Sequence, residues 1–251
     1  MTPLRAAALA ALALGACAAP PDSVPTPRPA LELAVAQFSR AIPGGDVPPG
    51  WTPWVVDIRK PATRYSLVEE DRQTALRAEA RGSVSGFLTN IRVDPALHPR
   101  VRWRWKVDRV IPGADESRAD RDDSPARLMI AFAGDHARLE PGERAKLSLA
   151  SALSGREAPY AMLMFIWSSE HAPGSIIPNP RSSRVQMIVV EQGPARLGRW
   201  LDYERDVAAD YRRAFGEDPG LITGVGVLTD ADDTQSSALT YYGDIFFRGE
   251  D

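Results

Sequence analysis

Two groups of side chains in this 251-residue sequence are typed and spaced for ligand chemistry. The first is Thr229-Asp230-Ala231-Asp232-Asp233-Thr234, with three carboxylates in four positions. Hard divalent cations take several oxygen ligands, so Asp230, Asp232 and Asp233 are candidate metal ligands, and Ca2+ is the ion they would suit. The loop lacks the sixth-position glycine and the distant glutamate of an EF-hand. A polar turn, with Asp and Thr side chains bonded to nearby backbone, accounts for the same residues. The second group is Arg102, Arg104 and Lys106, on alternate positions and therefore ~6.6 Å apart along a strand. Three cations so close repel one another unless anions face them. The acidic run Asp120-Arg121-Asp122-Asp123 and the 230–233 loop could supply those anions. Either this is a solvated, salt-bridged sheet face, or Arg102, Arg104, Lys106, Asp122, Asp123 and Arg127 line a groove that bonds a polar ligand, such as a sugar or an anionic glycan. Asp244 joins them on parity. In an alternating strand it shares a face with Tyr242 and Phe246, and an aspartate among aromatics needs a partner, for which Arg127 is the candidate.

Signals for catalysis are sparse. Asp202, Glu204 and Asp206 alternate and would share one face of a strand, as the acids of a glycosidase can. The segment runs into a helix, however, and capping and salt bridges account for them more simply. Gly82-Ser83-Val84-Ser85-Gly86 is not a nucleophile elbow, because Val84 stands where the serine would be. His98, His136 and His171 are scattered without metal-ligand spacing. There is no phosphate-binding loop and no dinucleotide fingerprint. The single cysteine, Cys17, lies in the N-terminal segment. Trp51, Trp54 or Trp200 could stack on a sugar if exposed, but core or loop packing is the favoured reading of each. The balance leans toward binding rather than catalysis.

The elements that must position these residues read as strands. Residues 222–228 and 238–247 are β-branched and aromatic runs that flank the acidic loop. Val101-Arg102-Trp103-Arg104-Trp105-Lys106-Val107 alternates without fault, putting Trp103 and Trp105 in the core and the cations outside. Further strands are expected at 55–58, 64–68, 74–80, 84–88, 126–133, 161–167 and 184–191. The 161–167 run is apolar on both faces, as a central strand is. About ten short strands with turns between them indicate an all-β sandwich. Two short helices are expected at its periphery. One covers 31–42, where Leu31, Val35, Phe38 and Ile42 keep helical spacing. The other covers 206–215, with Asp206 as N-cap and Gly216 as stop.

The first sixteen residues resemble a bacterial lipoprotein signal. One cation, Arg5, precedes a short apolar run, and Leu14-Gly15-Ala16-Cys17 matches the motif in which the cysteine is acylated. An ordinary signal peptide with an incidental cysteine is the alternative. Residues 17–30 form a tether with prolines at 20, 21, 25, 27 and 29, a composition that favours extended chain. Residues 31–251 are expected to form one domain. Ala18 is not the aspartate that favours inner-membrane retention, so the resemblance implies a lipid-anchored protein of the outer membrane facing the periplasm. With 44% hydrophobic residues, 25% charged residues and a net charge of −3, the chain shows no basic excess, which argues against a nucleic-acid partner.

Several separated motifs resemble one family in order. These are 103–107, Asp122-Asp123 with Ala126-Arg127 and Phe132, Arg205-Asp206-Val207 with Asp210-Tyr211, Phe215-Gly216 and Pro219, the 229–234 loop, and Tyr241-Tyr242-Gly243-Asp244-Ile245. Together they are similar to the bacterial domain of unknown function family 3047, over roughly 51–247. The family brings no assigned activity. It is similar at a distance to jelly-roll carbohydrate-binding modules, which implies a jelly-roll-like antiparallel sandwich. The expected protein is a lipid-anchored, non-catalytic β-sandwich that binds a ligand, a glycan being one class. The alternatives are a carbohydrate-active hydrolase using Glu204 or the acidic loop, and a structural interaction protein of the envelope.

Overall fold

A computed structural model describes residues 32–249. The signal, Cys17 and the tether lie outside the described residues. In chain order the strands are β1 (Glu32–Ala36), β2 (Trp51–Trp54), β3 (Arg64–Glu70), β4 (Gln73–Arg81), β5 (Val84–Val93), β6 (Arg100–Val107), β7 (Arg127–Phe132), β8 (Ala161–Ser168), β9 (Ile176–Pro178), β10 (Val185–Gln192), β11 (Leu201–Asp206), β12 (Ile222–Asp230) and β13 (Ser237–Arg248). Two α-helices interrupt them, α1 (Pro141–Ser154) and α2 (Val207–Phe215).

The strands divide between two sheets that face each other. One has the order β11-β6-β13-β4-β3, with β1 added to β13; the other has the order β2-β5-β12-β7-β8-β10-β9. All pairs are antiparallel except β8 with β10. The core between the sheets is aromatic: Trp103, Trp105, Trp167, Phe132, Phe165, Tyr242 and Phe247 are essentially inaccessible to solvent. The expected jelly-roll-like sandwich is therefore the fold, with helices at its periphery. Among the described residues no helix is long and apolar enough to cross a membrane.

Local chemistry explains several elements. Asp71 and Arg72 join β3 to β4 with positive φ at both positions (50° and 66°), the two-residue turn whose twist matches a hairpin. Helix α2 starts where Asp206 accepts a hydrogen bond from Ala209 N (2.8 Å) and stops at left-handed Gly216.

The helix expected over 31–42 is not present. That stretch forms β1 and a short 3-10 turn at Phe38–Arg40. Its helical spacing is overridden by pairing with the far end of the chain, Leu33 lying opposite Phe247. Phe38 is buried while Ile42 is 76% exposed, so the four-residue spacing never shared one face. The strand expected at 55–58 is displaced to β2, and Ile58 is 75% exposed. Sequence reading missed α1, although Pro141 in its first turn and left-handed Gly155 at its end are signals of such a helix. It also missed the short edge strand β9, and it treated β11 as the approach to a helix.

A groove and a charged network on one sheet

The cationic stripe lies on the outer face of the six-stranded sheet. There β11 pairs with β6 so that Asp202 lies opposite Arg104, Glu204 opposite Arg102 and Asp206 opposite Arg100. The anions that the stripe requires therefore come from the next strand. Glu204 bonds Arg100 (3.2 Å) and Arg248 (3.5 Å), and Arg104 Nε lies 3.6 Å from Asp202. Lys106 is held by Glu70 (2.5 Å) and Asp71 (2.8 Å) from the β3–β4 hairpin. The stem of Arg104 lies over Gly243, where an added Cβ would come within 2.5 Å of its Cγ. Its guanidinium sits 4.7 Å from the Trp200 ring. Arg102 is exposed.

The acidic residues proposed as partners of this stripe gather instead on the other sheet, where β7 begins and β12 ends. Arg127 is their centre. It is buried, and its Nε and Nη2 donate to the two oxygens of Asp230 (3.2 and 3.1 Å). Nη2 also donates to Asp122 Oδ1 (2.9 Å), and Nη1 to the Met187 sulfur (3.0 Å). The second oxygen of Asp122 accepts from Asn179 (3.0 Å) and Arg181 (2.8 Å). Asp233 accepts from Lys60 (2.9 Å) and Arg181 (2.9 Å), and Lys60 also bonds Asp232. Asp123 ties down the acidic loop, accepting from Asp233 N (3.1 Å), Thr234 N (2.7 Å) and Thr234 Oγ1 (2.6 Å).

Burial pushes the Asp230 carboxyl well above its ordinary range, against the pull of Arg127 and with Asp122 and Asp123 adding to the rise. Burial likewise raises Asp232, although Lys60 opposes it. Burial would raise Asp233 too, but Lys60 and Arg181 outweigh it and hold that group low. Arg127 stays charged because Asp230, Asp122 and Glu116 together overcome its own desolvation.

Of the three candidate metal ligands, Asp230 and Asp232 converge, together with Asp123, with oxygens within 4.8 Å of one another. Asp233 does not join them, since both of its oxygens face Lys60 and Arg181. Asp244 is not a partner of Arg127. It accepts from Ser39 N (2.8 Å) and Ser39 Oγ (2.6 Å) on the outside of the sandwich. A register shift in β13 between Tyr242 and Ile245 breaks the alternation on which the parity argument stood. Tyr242 points inward, its hydroxyl donating to Leu228 O (2.8 Å).

Beside this network lies a groove of about 1120 Å3 across the outer face of the seven-stranded sheet. Cavities that hold small molecules run roughly 300–1,000 Å3, so its size suits a ligand. Along β7 it runs from Arg127 to just beyond Phe132, roughly 20 Å by strand rise. Val84, Leu88, Met129, Met162, Met164 and Leu228 form its floor, and Leu149 and Leu153 of α1 line one side. The floor is low because glycines stand in it. A Cβ on Gly226 would meet Leu88 Cβ and Met129 Cε at 2.9 Å, and one on Gly86 would meet Trp54 at 2.7 Å. Trp54 and Tyr160 border the groove, whereas Trp51 is buried against Phe38 and Phe87.

Sequence reasoning did not find Lys60, Asn179, Arg181 or the methionines. Lys60, Asn179 and Arg181 stand singly in loops, with no pattern to mark them. Gly224 and Gly226, which interrupt an otherwise apolar strand, were a usable signal, since glycine inside a strand marks a close approach.

The chain belongs to the family described as protein of unknown function (DUF3047), whose model matches residues 49–246. No curated protein matches the sequence. Among solved structures the chain is similar to the K1 cleaved adhesin domain of Lys-gingipain from Porphyromonas gingivalis W83, with 9% identity, 88% of this chain and 99% of that one covered, and a TM-score of 0.38. It is similar to the carbohydrate recognition domain of Emp47p, with 8% identity, coverage of 88% and 95%, and a TM-score of 0.40. A third is the cellulose induced protein Cip1, with 12% identity, coverage of 78% and 89%, and a TM-score of 0.32.

Proposed function

We propose that this DUF3047 member is a non-catalytic binding β-sandwich. Its ligand lies along the groove on the outer face of the seven-stranded sheet, with one end against the charged network. The protein is held at the bacterial envelope by an acylated Cys17, with its folded body facing the periplasm from the outer membrane. The observation that carries the binding reading is the groove itself: a sheet face kept open by Gly86 and Gly226, floored by apolar side chains and closed at one end by buried charge. Its floor side chains Val84, Met129, Met164 and Leu228 are buried, while Leu149 and Leu153 at its side are exposed.

Thermal unfolding of the protein against glycans, peptidoglycan fragments and lipids tests it. Ligand at one hundred times its dissociation constant adds about 2.7 kcal/mol to the native state. The shift is expected to vanish in a Leu149→Gln, Leu153→Gln double variant, whose changes lie on the exposed side of α1 and keep good helix formers. A ligand shift unchanged in that variant would place binding elsewhere.

A second reading, hydrolysis, draws on the opposite shifts of Asp232 and Asp233 at the groove, since paired carboxylates driven apart can serve as acid and base. Both are engaged by Lys60, and Glu204 lies on the other sheet in ion pairs with Arg100 and Arg248. Turnover of any bound glycan that is lost in both Asp232→Asn and Asp233→Asn would establish this reading in place of the first.

A further inference from the structure

We propose that the connection between β7 and β8, which carries α1, is a lid over the groove, hinged where Gly134 meets Tyr160. Its gating role rests on the reading that the groove is the binding site; its mobility does not. β7 and β8 are adjacent and antiparallel, so a turn of a few residues would join them, yet the chain spends residues 133–160 on the connection. The two ends of this arm touch. A Cβ on Gly134 would come within 2.1 Å of the Tyr160 ring, which fixes the root. Tyr160 is fixed in turn: its hydroxyl bonds Glu217 (3.2 Å) and its carbonyl accepts from Arg184 (3.1 Å).

Beyond that root the arm is lightly held. Between 135 and 159 only Leu139, Glu143 and Leu147 are buried. Most of its hydrogen bonds stay within it, as where Arg144 reaches Ala137 O (3.1 Å) and Ala158 N donates to Ser151 (2.8 Å). Among the described residues, hydrogen bonds from this stretch to the rest of the sandwich come at two places. Ser182, between β9 and β10, donates to Glu143 in the first turn of α1. Arg156, just past the end of α1, donates to Thr52 of β2 (2.8 Å). β2 and β10 are five strand spacings apart, ~24 Å, and α1 is ~21 Å long. The helix therefore reaches from one latch toward the other across the strands that floor the groove. Leu149 and Leu153, 61% and 36% exposed, line that groove without being covered, and a small descent of α1 onto Met129 and Met162 would bury them. Gly142 and Gly155 stand in open space at the two ends of the helix. A unit with so few buried apolar groups opens at a lower free energy than the strands around it, and active-site lids are drawn from such units.

The test is amide hydrogen exchange of the full chain, read by mass spectrometry, with and without N-phenyl-1-naphthylamine, an uncharged apolar dye that fluoresces on leaving water. Amides of α1 are expected to exchange at least a hundredfold faster than those of β8 and β12. Thr52→Val and Ser182→Ala each remove one latch without altering the arm's own sequence. Each is expected to speed exchange in α1 at least threefold, leave β8 and β12 unchanged, and raise the association rate of the dye. Bound dye is expected to slow exchange in α1. Exchange in α1 as slow as in β8 overturns the lid, and the groove reading survives that result if the dye still binds and is lost in the Leu149→Gln, Leu153→Gln variant. Fast exchange in α1 that neither latch variant changes removes the latches and the proposal with them. An arm that opens while dye entry ignores the latches and bound dye leaves α1 unprotected is mobile without gating, which also overturns the lid. Dye binding insensitive to both the latches and the α1 variant counts against the groove reading itself.

Discussion

The two outer faces of the sandwich carry their polar groups in opposite ways. On the six-stranded sheet the charges form a ladder, with anions of β11 facing cations of β6 at the rim of water. On the seven-stranded sheet the outward side chains are mostly apolar, and charge is drawn into one buried cluster around Arg127. A solvated ion pair contributes about 0–1 kcal/mol, because water already satisfies both partners. A buried one is dear to break, because the survivor keeps its charge without water. The difference shows why density of charge along a sequence is a poor guide to a site. The densest run of cations is neutralised by the adjacent strand. Lys60, Asn179 and Arg181, from loops far apart in the sequence, converge with Asp122 beside the groove.

The contrast can be broken most severely at its centre. Arg127→Ala leaves Asp230 buried without its cation and Asp122 with Arg181 alone, and a loss of about 3–5 kcal/mol is expected in chemical denaturation. Gly226→Leu fills the floor between Leu88 and Met129 and is expected to cost about 1–3 kcal/mol by overpacking while abolishing ligand binding. On the outside of the sandwich the effects shrink. Asp244→Ala removes both bonds to Ser39 and is expected to cost about 1 kcal/mol. Lys106→Ala, losing pairs to Glu70 and Asp71, is expected to cost no more than about 1 kcal/mol, and Arg102→Ala to change the denaturation midpoint very little. A cost for Arg102→Ala as large as that for Arg127→Ala would end the comparison.

One prediction concerns acid. Ser117 and then His171 hold the Asp115 carboxyl down at about 2, below its ordinary 3.8. The folded state thus favours the ionised form. That contribution is present above pH ~4 and is lost as pH falls toward 2. Asp115→Asn is expected to flatten the stability curve in that window by about 1 kcal/mol, the partial exposure of the pair limiting it. An unchanged acid limb in the variant would deny Asp115 this role.

Much of the fold was legible because alternation is a strong signal where one face is wet. Trp103 and Trp105 read as core and are core, and the 161–167 run read as a central strand and became β8. The helix at 206–215 was legible from its cap and stop. The 31–42 segment was not, because its conformation is decided by a strand more than two hundred residues away. The site was half legible. Asp122, Asp123, Arg127, Asp230, Asp232 and Asp233 were named and do come together. Arg102, Arg104 and Lys106 were named with them and lie on the other sheet, because parity tells which side of a strand a residue takes but not which sheet the strand joins. Asp244 was misplaced because a bulge is invisible to a count of two.

The position of β13 bears on how the protein can be made. It follows every other described strand in the sequence, yet it lies between β4 and β6 and also carries β1. As the chain emerges from the ribosome, β4 and β6 must wait with open edges, exposed to pairing with other chains. The seven-stranded sheet waits almost as long, since β12, its last strand to appear, lies between β5 and β7 and ends at Asp230, shortly before β13 begins at Ser237. Both sheets are therefore closed through their middles by the last two described strands, and a chain released before Ser237–Arg248 had been delivered would carry a gap between β4 and β6.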